Sequence, residues 1–189
     1  MAASETDQRA QPLPSGQGAC LTAQALAERL EEEINRAGRH RTPLSCLLLV
    51  VDNLEELARE HGHDLPERVF PYLARALGRE LRRFDRIGRP STNELLLLLP
   101  GTDGPGGEIV ARRLLERLRT IKVQAGGTRQ PLRISMGLAV WQADLSAEEL
   151  LTQMRSAARG GQGEEAADLA TATPLQGISP PALGRPRPS

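Results

Sequence analysis

Apolar residues recur along the middle of the chain with a period that changes from segment to segment. Over residues 21–38, Leu26, Leu30 and Ile34 return every fourth position among charged neighbours, which predicts an amphipathic helix. Pro43 follows, and then Leu44 to Val51 is an unbroken apolar run of strand length. Residues 53–61 predict a short helix that Gly62 breaks. Over 66–83, Val69, Leu73, Leu77 and Leu81 are again spaced by four, with Pro66 suited to the opening turn. Asp85 to Arg89 and Glu94 to Leu99 predict two strands joined by a turn from Pro90 to Asn93. Residues 107–121 predict a helix burying Val110, Leu114, Leu118 and Ile121. Leu132 to Trp141 alternates as a strand does, and Ser146 with Glu149 makes a capping box for a last helix running to about Ala158.

This order implies an α+β domain over residues 20–160: a mainly antiparallel central sheet flanked by helices, expected here to cover one face. Residues 1–19, broken by Pro12, Pro14, Gly16 and Gly18, predict a flexible leader. Residues 161–189 are rich in Gly, Ala, Thr and Pro and end in Gly184-Arg-Pro-Arg-Pro-Ser189. Such a small apolar surface does not offset the entropy of ordering, so this tail is expected to be disordered.

Composition narrows the function classes. Only 2% of the residues are aromatic, so the core must be aliphatic. The charges balance at 24 of each sign, which points to neither a nucleic-acid partner nor an acidic membrane surface. Lys122 is the only lysine; arginine forks suit phosphate and carboxylate recognition, although coding bias yields the same composition. No apolar run approaches the roughly 20 residues of a membrane span. Cys20 and Cys46 lie far apart and form no disulfide framework, which fits a reducing, cytoplasmic setting. Three weaker signals carry no chemistry. His61-Gly-His63 with Asp64 is a poor zinc set, Gly104-Pro-Gly-Gly107 lacks the Gly-Lys-Ser/Thr ending of a phosphate loop, and Tyr72, Phe70, Phe84 and Trp141 are too scattered to stack bases.

Five features in order give the chain a family resemblance. They are the helix from Leu26 to Glu33 leading into Pro43–Asp52, the Gly62-His63 dipeptide, Arg82-Arg-Phe-Asp85, the strand Glu94–Pro100, and Ile134-Ser-Met-Gly-Leu-Ala139. Together they resemble the GGDEF domain of diguanylate cyclases over about residues 20–160. The resemblance implies a palm-like, ferredoxin-related fold and a signature turn Gly-Gly-Asp/Glu-Glu-Phe, where this chain has Ser91, Thr92, Asn93, Glu94 and Leu95.

In the family the glycines make room for nucleotide and the third residue binds Mg²⁺ or Mn²⁺. Ser91 and Thr92 add side chains there, and Asn93 supplies a neutral amide. The family's other metal carboxylate falls on Val50, Asp52 matching its second aspartate; the guanine-contacting asparagine falls on Ala58 and a nearby aspartate on Glu67. The last helix lacks the family's Ala-Asp…Tyr-x-Ala-Lys pattern, with Arg159 standing for its phosphate-binding lysine. The expectation is therefore a degenerate domain with no metal, no cofactor and no catalytic residues, and not an enzyme.

The resemblance also implies an inhibitory site for cyclic di-GMP. Arg82 and Asp85 keep its RxxD spacing, and Arg113 falls on its secondary arginine, which implies a cyclic di-GMP receptor. A solvated helix face is the competing reading, since Arg75, Arg79, Arg82 and Arg86 recur at spacings of three and four. A protein-interaction or dimerisation module without nucleotide binding, with a protein partner, a homodimer or a docking tail, is the alternative function, and a residual diguanylate cyclase is the third.

Overall fold

The computed structural model describes residues 20–125, 127–160 and 168–171. The order is α1 (Ala23–His40), β1 (Leu44–Val51), α2 (Leu54–His61), α3 (Leu65–Gly78), β2 (Arg86–Ser91), β3 (Glu94–Pro100) and α4 (Gly104–Arg119). There follow β4 (Lys122–Ala125), β5 (Thr128–Pro131), β6 (Ile134–Val140), α5 (Ala147–Gly160) and β7 (Asp168–Thr171). The main sheet runs β2-β3-β1-β6-β7; every pair is antiparallel except β6 with β7, and β4 with β5 forms a separate hairpin. The α+β architecture with a mainly antiparallel sheet is as the sequence implies.

Helices cover both faces, not one. Leu47, Leu49 and Val51 of β1 pack with α2, α3 and α4, while Cys46 and Leu48 pack with α1 and α5. A strand buried on both sides has no polar face to alternate with, which is why Leu44 to Val51 reads as apolar sequence interrupted only by Ser45, itself buried and bonded to the Thr102 carbonyl. Cys46 and Cys20 are both free thiols.

Local chemistry explains the boundaries. Thr22 caps α1 by accepting from the Ala25 amide, and Ser146 and Glu149 make the expected reciprocal cap before α5. Helix α4 begins at Gly104, earlier than the apolar pattern suggests, because the Asp103 carboxylate accepts from the Gly106 amide at 2.9 Å. The glycine run is thus a helix's first turn. Helix α3 ends at Gly78 rather than near residue 83, and the Asp85 carboxylate closes the following turn on the Arg82 amide at 2.7 Å. Buried Asn53 ties the start of α2 to the chain entering β6, donating to the Pro131 carbonyl and accepting from the Arg133 amide.

The leader, residues 1–19, lies outside the described residues. So does most of the tail, but Asp168–Thr171 pairs in parallel with Ser135–Leu138, so disorder does not hold for these four residues. Backbone hydrogen bonds to the open edge of β6 supply the order that the segment's composition does not.

Candidate functional site

Two clusters assemble from the residues singled out in the sequence. The first is the β2–β3 turn, where Ser91 pairs with Glu94 and the register places Glu94 beside Val50 of β1. The Ser91 hydroxyl donates to the Asn93 side-chain oxygen at 3.2 Å, and the Asn93 carbonyl accepts from the Val51 amide at 2.9 Å. Leu95 points into the core. Asp52 accepts from the Ser135 hydroxyl at 2.7 Å, and Ala58 is buried in α2.

Two arginines that the sequence reading did not single out organise this turn. Arg89 donates to the Ser91 and Thr92 carbonyls, pairs with Glu67 at 2.9 Å, and lies 4.4 Å over the Phe70 ring. Arg155 of α5 forks both nitrogens onto Glu94, at 2.9 and 2.8 Å. Burial alone would raise the Glu94 carboxyl, but the Arg155 fork and the charge of Arg159 hold it below the usual carboxylate range. Arg159 therefore does lie near the turn. Arg155 could have been suspected from its place one helical turn before Arg159; nothing local pairs it with a residue 61 positions away.

The side chains at the positions the resemblance assigns to a divalent ion do not fit one held by carboxylates. Val50 offers no oxygen, Asn93 is engaged by Ser91, and Glu94 is engaged by Arg155. Among the described residues no group of three or more His, Cys, Asp or Glu side chains is placed to hold a metal.

The second cluster lies beyond the C-terminal end of α3. Arg82 and Asp85 share one turn, and Arg113 of α4 reaches that turn by donating to the Glu80 carbonyl at 2.8 Å. Burial raises the Asp85 carboxyl above its usual value, tempered by the Arg82 amide and by the charges of Arg82, Arg86 and Arg113. All three predicted ligand-binding residues therefore meet. A continuous arginine face does not exist, because α3 stops at Gly78, Arg82 lies in the turn and Arg86 belongs to β2. Phe84, between them, is 68% exposed.

The family model for the diguanylate cyclase GGDEF domain matches residues 22–162. The chain belongs to the GGDEF family. This is a family of cyclic di-GMP signalling domains, and two curated relatives are named for the synthesis. The diguanylate cyclase DgcP of Pseudomonas aeruginosa is 34% identical over 113 residues, 60% of this chain and 16% of the relative. The probable diguanylate cyclase DgcC of Escherichia coli K12 is 28% identical over 110 residues, 58% of this chain and 29% of the relative. The match thus spans under a third of either relative's length. Among solved structures, the P. aeruginosa diguanylate cyclase SiaD in complex with its activator SiaC aligns with a TM-score of 0.72 at 28% identity, covering 82% of this chain and 60% of that one. The GGDEF domain of DgcB from Caulobacter crescentus, in complex with c-di-GMP, aligns with a TM-score of 0.72 at 16% identity, over 87% and 98% of the two chains. That likeness shows the fold.

These relatives correct one expectation. The substituted metal, base and turn positions implied that the chain is not an enzyme, yet the relatives that match it at 34% and 28% identity are named diguanylate cyclases. Among the described residues no helix is long and apolar enough to cross a membrane.

Proposed function

We propose that this GGDEF domain acts in cyclic di-GMP signalling by holding cyclic di-GMP on Arg82, Asp85 and Arg113. The convergence of these residues, from the α3–β2 turn and from α4, carries the reading. Two guanidinium groups suit the phosphates and guanine edges of a dinucleotide, and a carboxylate accepts from the guanine N–H groups. Arg82 is exposed, and the contacts of Arg113 with Glu80 lie at the surface, so both side chains can turn to a ligand.

Calorimetric titration of the full chain with cyclic di-GMP tests the reading. Micromolar binding is expected, and Arg82→Ala or Asp85→Ala should weaken it roughly tenfold or more, the scale of one charge-assisted contact. No micromolar binding, or binding that both variants leave unchanged, overturns it.

A protein partner or a second copy is supported by a different observation. Phe84 presents its ring to solvent in the same turn, an apolar anchor of the kind interfaces use. The structural relative SiaD is bound by a protein activator. Light scattering with and without cyclic di-GMP reads self-association, which Phe84→Ala should weaken.

A further inference from the structure

A cavity of about 510 Å³ opens between α3 and the β4–β5 hairpin, away from both clusters described above. Leu65, Arg68, Val69 and Tyr72 bring one stripe of α3 to it, at the spacings that share a helix face. Glu67 and Phe70, which hold Arg89 at the signature turn, belong to the other side of that helix. The Arg82–Asp85 turn lies beyond its far end. The hairpin supplies Lys122, Gln124 and Arg129; Gln124 pairs directly with Arg129, and Lys122 stands two residues from Gln124 on the same face.

The charge around this cavity is one-sided. Arg68, Lys122 and Arg129 line it, and among the described residues no carboxylate does. Arg68 reaches Asp64 at 3.3 Å, but both side chains are more than half exposed, so that pair is weak. Neither Lys122 nor Arg129 makes an ion pair among the described residues. In a chain whose formal charges cancel to zero, three cations at one concavity form a local positive field. Tyr72 adds an aromatic ring that is 52% exposed, over buried Leu65 and Val69. The volume falls in the usual range of small-molecule sites.

We propose that this cavity binds a nucleoside phosphate, with the phosphate on Lys122, Arg129 and Arg68 and the base stacked against Tyr72. The flat, partly apolar, partly polar ring of tyrosine suits a base face, and the cations suit the phosphate oxygens. The site is separate from the dinucleotide cluster and stands whether or not cyclic di-GMP binds there.

Calorimetric titration of the full chain with GMP, AMP and inorganic pyrophosphate tests it. Both nucleotides are expected to bind more tightly than pyrophosphate. The Lys122→Ala/Arg129→Ala double variant should weaken all three probes roughly tenfold or more. Tyr72→Ala should weaken the nucleotides several-fold and leave pyrophosphate unchanged, while Arg82→Ala should change nothing. These residues are exposed, so the variants should fold, and an unchanged melting temperature checks it. No binding of any probe at millimolar concentration, or binding that the double variant leaves intact, overturns the proposal. So does a Tyr72→Ala protein that binds nucleotides as the parent does.

Discussion

A Gly137→Ala variant is expected to lose about 3 kcal/mol of stability or more, the upper end of small-to-large core substitutions. Gly137 lies in the middle of β6, where α5 crosses closest. A Cβ there would collide with the Met154 carbonyl oxygen and stand 2.9 Å from the Ala158 amide nitrogen. Both are backbone atoms of α5, so no side chain can rotate aside; the helix must lift. Lifting it would also disturb Leu150 and Met154, which are fully buried on that face of the sheet. For a chain of this size the loss corresponds to a fall in melting temperature of about 6–12 °C. Thermal unfolding followed by circular dichroism reads it, with Gly160→Ala as the control, since a Cβ at Gly160 meets nothing within 4 Å. A Gly137→Ala protein melting within a degree or two of the parent would show that α5 does not sit this close. The glycine that helped to reveal the family in Ser135-Met-Gly-Leu-Ala139 is thus a packing residue.

What could be read in the chain follows the range of the interaction. Helix α1 announced itself because Leu26 and Leu30 are buried on one face of a charged helix. β1 did so because Leu44 to Leu49 are all buried. The sequence spacing of Arg82 and Asp85 was enough to place them together, since three residues span one turn. Less local features were hidden. The β4–β5 hairpin buries only Val123 and Ala125, too short an alternation to separate from a loop. Leu81 continues the four-residue spacing of α3 beyond the helix end, because a turn can also lay a leucine against the core. Coverage of both sheet faces was present in the unbroken apolar run of β1, yet the element order alone suggested a single face. In the site, Arg113 was found by resemblance, whereas the pairings of Arg89 with Glu67 and of Arg155 with Glu94 are contacts that only the fold creates. The expectation that the chain is not an enzyme rested on the substituted turn, metal and base positions, whereas relatives matched over more than a hundred residues are named diguanylate cyclases.

The ion pair of Glu94 with Arg155 gives the second large effect, and its sign follows from the carboxyl. Glu94 titrates below its ordinary value of 4.5 in the folded chain. A carboxyl depressed by folding adds stability above its unfolded pKa, and that stability is lost as pH falls through the folded value. Arg155→Ala should therefore cost most near neutral pH, where it strands a carboxylate that is only 11% exposed. Removing one partner of a fully buried pair costs about 3–5 kcal/mol. Arg155 is 40% exposed, so water moderates the loss to about 1–2 kcal/mol. As Glu94 takes up a proton below about pH 4.5, the gap between parent and variant should close. Denaturant unfolding of parent, Arg155→Ala, Glu94→Gln and the double variant, at neutral and acidic pH, measures this. The double-mutant cycle should show coupling at neutral pH and little in acid. A gap of equal size at both pH values would assign the role of Arg155 to packing of its aliphatic stem. The expected collapse of the coupling would instead show that the glutamate of the signature turn is held as a charge, by an arginine of α5 61 residues further along the chain.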